Sequence, residues 1–184
     1  MDIAKRISLC VAIAAIGPLA GCSMAIKEGV SVVKGASGIV APVRPLSADA
    51  EARPLGEYTN FELTRLADSF GGKVPAGFWS DLDEAYASEI EKHKLPHDPS
   101  GKTLQIRGEI IHYESADVVA FALGPVEEVV ARIQLVDKDT GNVLAEGNCI
   151  GRTKSRLNAG VRRKAEGLAK ALVSWISNRY PERE

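Results

Sequence analysis

The sequence predicts an α+β domain: a two-layer sandwich of a mostly antiparallel sheet of about four strands and two amphipathic helices, in the order β-α-β-β-β-α. Three observations lead there. Residues 103–113 and 129–137 alternate apolar and polar side chains, the period of a half-buried strand. The turn Lys138-Asp139-Thr140-Gly141 joins the second run to another alternating one, so those two pair as a hairpin. Two further stretches, one after Pro75 and one after Asn158, repeat apolar residues at helical spacing.

The amino terminus comes first and has a separate purpose. Lys5 and Arg6 precede an apolar run, Ile7 to Ile16, of about ten residues. A membrane-spanning helix needs roughly twenty, so the run reads as the core of a signal peptide. Leu19-Ala20-Gly21-Cys22 follows and reads as a lipobox, with small residues that let processing enzymes reach the thiol. Residues 1–21 are therefore expected to be removed, leaving acyl chains, palmitate among them, on Cys22. The bland alternative is a buried amino-terminal helix ending in a Gly cap. One acyl chain binds a membrane reversibly, at about 0.8 kcal/mol per methylene, whereas two or three hold permanently. Ser23 follows the cysteine where inner-membrane bacterial lipoproteins tend to carry Asp, which implies the outer membrane, with the domain facing the periplasm.

Removing Lys5, Arg6 and Asp2 leaves 21 basic against 23 acidic residues, so no polyanion and no nucleic-acid partner is expected. Cys10 leaves with the signal and Cys22 is lipidated. Cys149 remains alone, which excludes an internal disulfide. Residues 22–56 lack aromatics, are rich in Ala, Gly, Val and Ser, and are broken by Pro42, Pro45 and Pro54; they read as a lipidated tether spanning about 30 Å. Within it Ile26, Val30 and Val33 have the spacing of a short amphipathic helix.

The folded domain is placed at 57–180. Tyr58 to Leu66 reads as its first strand, with Thr59, Phe61 and Leu63 on one face. Gly71-Gly72 breaks the chain, and Pro75 suits the first turn of a helix to about Lys94. Phe78, Leu82, Ala85, Tyr86 and Ile90 form its apolar stripe, while Asp81, Asp83, Glu84, Glu89 and Glu91 lie mostly off it. Thr103 to Tyr113 points Leu104, Ile106, Gly108 and Ile110 one way. Val129 to Asp137 does the same with Val129, Ala131, Ile133 and Leu135. Val143 to Gly151 returns as the hairpin partner, where Ala145, Gly147 and Cys149 would admit a closely packed neighbour. Asn158 can cap the last helix, about Gly160 to Arg179, whose stripe is Val161, Ala165, Leu168, Leu172, Trp175 and Ile176. Residues 181–184 are expected to fray.

Candidate chemistry is sparse. His93 and His97 have the spacing of a helical metal pair, but Pro96 lies between them, so no metal site and no cofactor is expected. Asp137, Asp139 and Asn142 suit a hairpin turn better than a calcium loop. Asp81, Asp83 and Glu84 read as a solvated acidic face, and Cys149 as a small core residue. No catalytic set emerges, so the chain is read as not an enzyme.

Two stretches read as partner-contact surfaces. One is basic: Arg152, Lys154 and Arg156, with Arg162, Arg163 and Lys164 at the helix start. The other, Val118, Val119, Phe121 and Leu123, is apolar where a polar turn would be expected. The bland readings are a solvated face for the first and a core segment for the second.

The lipobox, Tyr58-Thr59-Asn60-Phe61, residues 135–144 and the final Ala-rich helix resemble an uncharacterised family of bacterial lipoproteins, a domain of unknown function. The order of elements is more distantly similar to periplasmic domains of curli-secretion lipoproteins and of the Tol system. Those resemblances imply assembly or interaction modules and carry no catalytic residue. The expectation is a membrane-anchored envelope lipoprotein whose small non-catalytic domain binds an envelope protein or itself. A lipid or small-ligand binding module is the alternative, and an envelope hydrolase a distant third.

Overall fold

The computed structural model describes residues 36–44, 55–114, 127–153 and 160–180. Its elements are β1 (Ala36–Arg44), β2 (Tyr58–Leu63), β3 (Ala67–Asp68), α1 (Gly77–Lys92), β4 (Lys102–Tyr113), β5 (Glu128–Asp137), β6 (Val143–Thr153) and α2 (Val161–Ser177). The sheet runs β1-β6-β5-β4-β2, with β3 also on β4.

The α+β class holds, but two features of the predicted sheet do not. It has six strands rather than about four, and it is antiparallel only in part, because β2 and β3 both run parallel to β4. The parallel pairing follows from the chain path. A strand that reaches its neighbour through a helix, as β2 does through α1, can return in the same direction. The extra strands come from two places. β3 is a two-residue continuation of the β2 edge, too short to show alternation. β1 falls inside the stretch read as tether; as an edge strand it tolerates Pro42, which lacks an N–H to donate.

The inner face of the sheet is apolar. Leu104, Ile106, Ile110, Val129, Ala131, Ile133 and Leu135 are fully buried on it, as their alternation predicts. On β2, Phe61 and Leu63 share that face and are partly buried, while Tyr58 and Asn60 are the buried members of the strand. On α1, Phe78, Leu82 and Tyr86 are buried; Glu89, expected off the stripe, is buried as well. Helix α2 is enclosed by β1 and β6 on one side and by α1 on another, so its buried set is wider than one stripe.

The small residues of β6 do admit a helix. A Cβ on Gly151 would press into the Leu168 amide and the Lys164 carbonyl, and one on Gly38 of β1 into Ala171 and Gly167. Backbone therefore meets backbone at this crossing. The outer face is tied by cross-strand polar pairs, including Lys138–Glu62, Arg132–Glu109 at 3.5 Å and Arg152–Glu128 at 2.8 Å.

A candidate contact site at one end of the sheet

Register places the carboxyl ends of β4 and β6 and the start of β1 at the same end of the sheet. Tyr113 faces Val129, Glu128 faces Arg152, and Thr153 faces Ala36. Both helices begin there too, since Phe78 packs edge-on against Tyr113 at 5.7 Å and Lys164 lies over the same ring.

One cation organises this end. Lys164, in the first turn of α2, has a side chain only 3% exposed. Its Nζ donates to Glu127 Oε2 at 2.7 Å and to the Glu114 carbonyl at 2.6 Å, and it sits 4.4 Å from the centre of the Tyr113 ring. Glu114 N–H donates to the Glu128 carbonyl and Thr153 N–H to the Glu127 carbonyl, both at 3.0 Å. The Tyr113 hydroxyl and the Thr153 hydroxyl are buried here without a hydrogen-bond partner among the described residues. Burial, with the nearby charges of Glu127 and Asp81 adding to it, pushes the Tyr113 phenol up to about 12. The phenol therefore stays neutral, and among the described residues the buried charge at this end is the Lys164–Glu127 pair.

The sequence-predicted contact residues converge on this end only through their flanks. Val118, Val119, Phe121 and Leu123 lie in 115–126, between Glu114 and Glu127, and are outside the described residues. Lys154 and Arg156 lie in 154–159, between Thr153 and Gly160, and are also outside them. So are Leu19, Ala20, Gly21 and Cys22, and the proposed cap Asn158; Gly160 at the start of α2 makes no side-chain cap. Arg152 is paired with Glu128, Arg162 with Glu84 at 3.0 Å and Glu166 at 3.5 Å, and Arg163 with Glu166 at 2.5 Å. Each described arginine of the basic cluster thus has a carboxylate against it. Lys164, grouped with the surface cations from sequence, points inward instead. The signal was present: Lys164 is three residues after Val161 and four before Leu168, on the apolar stripe itself.

The remaining candidates lie apart. His93 is 3.6 Å from Glu89, and His112 is 3.8 Å from Glu114 with its ring against Phe70. Among the described residues no group of three His, Cys, Asp or Glu side chains is placed to hold a metal. The Asp137 carboxylate accepts the N–H groups of Asp139 and Thr140 and the Tyr58 hydroxyl, so it serves the turn. Cys149 is fully buried, and burial pushes its thiol well above the ordinary range, which disfavours the nucleophilic thiolate. An open groove of about 1,190 Å³ runs beside Arg65, Lys73, Trp79 and Asp83. Arg65 lies over the Trp79 ring and Lys73 over the Phe70 ring, each at 5.1 Å.

No family model matches the chain, and no curated protein does. Solved structures with a related trace include the PelC dodecamer from Paraburkholderia phytofirmans, at 16% identity and a TM-score of 0.49, covering 74% of this chain and 96% of that one. A single-residue variant of the same protein aligns at 17% and 0.49, covering 74% and 95%. A candidate lipoprotein from Caulobacter crescentus aligns at 15% and 0.36, covering 64% of this chain and 87% of its own. Likeness at this level assigns neither activity nor partner.

Proposed function

We propose that this chain is a lipid-anchored envelope protein whose small domain serves protein–protein contact or assembly and catalyses no reaction. The observation that supports the reading best is the shared end of the sheet. The chain arriving from Cys22 enters β1 there, and the segments 115–126 and 154–159 leave from there. Both stretches read from sequence as contact surfaces are thus rooted where the chain comes in from its anchor. Thirteen residues, 23–35, then separate Cys22 from β1, and they can span at most about 45 Å. The outer membrane, through acyl chains on Cys22, is the proposed address. The contact set is Val118, Val119, Phe121 and Leu123 with the basic residues near Arg152.

A second reading, a small-ligand module, draws on the open groove beside Trp79.

Cross-linking in intact cells tests the first reading, comparing the wild type with Cys22→Ser and identifying attached proteins by mass spectrometry. The expected result is a reproducible envelope partner, or a second copy of the chain, that is lost from the unanchored form. Phe121→Asp should abolish the same cross-link while the domain stays folded. Absence of any protein partner would overturn the proposal.

A further inference from the structure

The open groove of about 1,190 Å³ lies where α1 begins, walled by residues 65–68, by the turn 72–76 and by the first turns of α1. β3, on that wall, pairs with Glu109 and Ile110 near the carboxyl end of β4, so the groove lies toward the end of the sheet at which β1 begins. Two cations stand on it. Arg65 and Lys73 are both exposed, and each is seated on a ring, Arg65 over Trp79 and Lys73 over Phe70. Among the described residues neither has a hydrogen bond or an ion pair. Both are solvated and require no counter-charge. What sets them apart is availability: an incoming anion has no carboxylate to displace, whereas Arg152, Arg162 and Arg163 each already hold one. Stacking also fixes the direction in which the Arg65 fork points, so less freedom is lost on binding.

Two carboxylates line the same groove, and they differ. Asp68 accepts the Phe70 N–H at 2.9 Å and the Val74 N–H at 3.3 Å, so its charge is shared with the turn. Asp83, exposed on α1 one turn beyond Trp79, opposes an anion. Much of the remaining wall is apolar, with Leu66, Val74, Pro75 and the Trp79 indole. A free phosphate would use the cations and leave that surface, and most of the volume, empty. A membrane phospholipid uses both, and an indole suits the level of its headgroup. We propose that this groove binds the phosphate headgroup of an anionic phospholipid. The Arg65 fork takes the free phosphate oxygens, Lys73 adds a point charge, and the glycerol and first methylenes lie on the apolar wall. This deepens the small-ligand reading of the groove, and it takes its lipid from the proposed membrane address.

Trp79 can report the binding, because the chain has two tryptophans and the other, Trp175, is buried against the sheet. The full-length protein in uncharged detergent is titrated with dihexanoyl phosphatidylglycerol while tryptophan fluorescence is followed. A saturable change is expected, and Trp79→Phe should remove it. Arg65→Gln with Lys73→Gln, both at exposed positions, should bind about tenfold more weakly or worse with an unchanged thermal melt. Asp83→Asn should bind as tightly as the wild type or more tightly, since it removes a repelling charge. Dihexanoyl glycerol, without the phosphate, and inorganic phosphate, without the chains, should each bind about tenfold more weakly or worse. Arg162→Gln with Arg163→Gln should bind like the wild type. Absence of a saturable change overturns the proposal, as does undiminished binding by the Arg65 and Lys73 double variant. An equal loss in the Arg162 and Arg163 double variant overturns it too, by making the attraction diffuse. Inorganic phosphate binding as tightly as the lipid overturns the lipid assignment. The titration uses neither the anchor nor a protein partner, so its failure and the failure of the cellular cross-link are separate results.

Discussion

Lys164 shows how one residue can set the end of a domain. Its ammonium is removed from water, so its partners Glu127, the Glu114 carbonyl and the Tyr113 ring must replace that hydration. Removing one member of a buried pair strands the other charge. Lys164→Ala should therefore cost about 3–5 kcal/mol in urea unfolding. The double variant Lys164→Met with Glu127→Leu should recover much of that loss, since apolar groups of similar volume need no counter-charge. If the double variant is as unstable as the single, the ion pair is not the source of the effect. Asp137 makes a second prediction. Hydrogen bonds from the Thr140 N–H, the Tyr58 hydroxyl and the Asp139 N–H hold its carboxyl below the ordinary carboxylate range, against the opposing effect of burial. A depressed folded pKa contributes stability that is fully present above the unfolded value of about 3.9 and is lost as pH falls through the folded one. Urea midpoints should drop on acidification below about pH 4. In Asp137→Asn that part of the drop should be absent, with a lower midpoint at neutral pH.

Among the elements, the crossing of α2 over β1 and β6 has the least room. Gly38, Gly151 and Gly167 meet there with no side chain between the backbones. Gly38→Ala and Gly151→Ala should each destabilise by about 3 kcal/mol or more, above the usual range for overpacking, because the added carbon meets backbone that cannot rotate away. Gly141→Ala, at φ 73° in the β5–β6 turn, has open space around it and should show only the smaller cost of a left-handed backbone. Thermal melts of the three variants rank them. The same crossing explains what the sequence showed and what it hid. Strands β4, β5 and β6 were legible because one face is packed and the other wet, which forces a period of two. Helix α1 was legible from its stripe. Strand β1 was not, because its inner face must be small to admit α2, and Ala36, Gly38 and Pro42 look the same in a tether as on a crowded edge. Of the candidate site, the two flanking segments were legible as anomalies of composition. Lys164 was missed although its spacing from Val161 and Leu168 puts it on the apolar stripe, because a lysine beside two arginines reads as surface by residue type.

For the whole molecule, the proposed anchoring makes the distance between Cys22 and β1 the quantity to test. Taking 22–56 as tether gives a reach of about 30 Å, but β1 draws residues 36–44 into the sheet. If Cys22 carries the anchor, the thirteen residues 23–35 between it and β1 can span no more than about 45 Å. β1 enters at the end from which 115–126 and 154–159 depart, so under the proposed anchoring that end would be the one held closest to Cys22. On the proposed reading, a partner engaged there would lie in or just above the same membrane, and its effective concentration would fall as the leash lengthens. Inserting about 30 Gly and Ser residues after Ser23 lengthens the mean reach to about 35 Å without touching the fold. The thermal melt should be unchanged, and the cross-link to the envelope partner should weaken several-fold. A cross-link of undiminished yield would mean that the partner reaches the domain from the aqueous side, and that the leash sets location without setting contact.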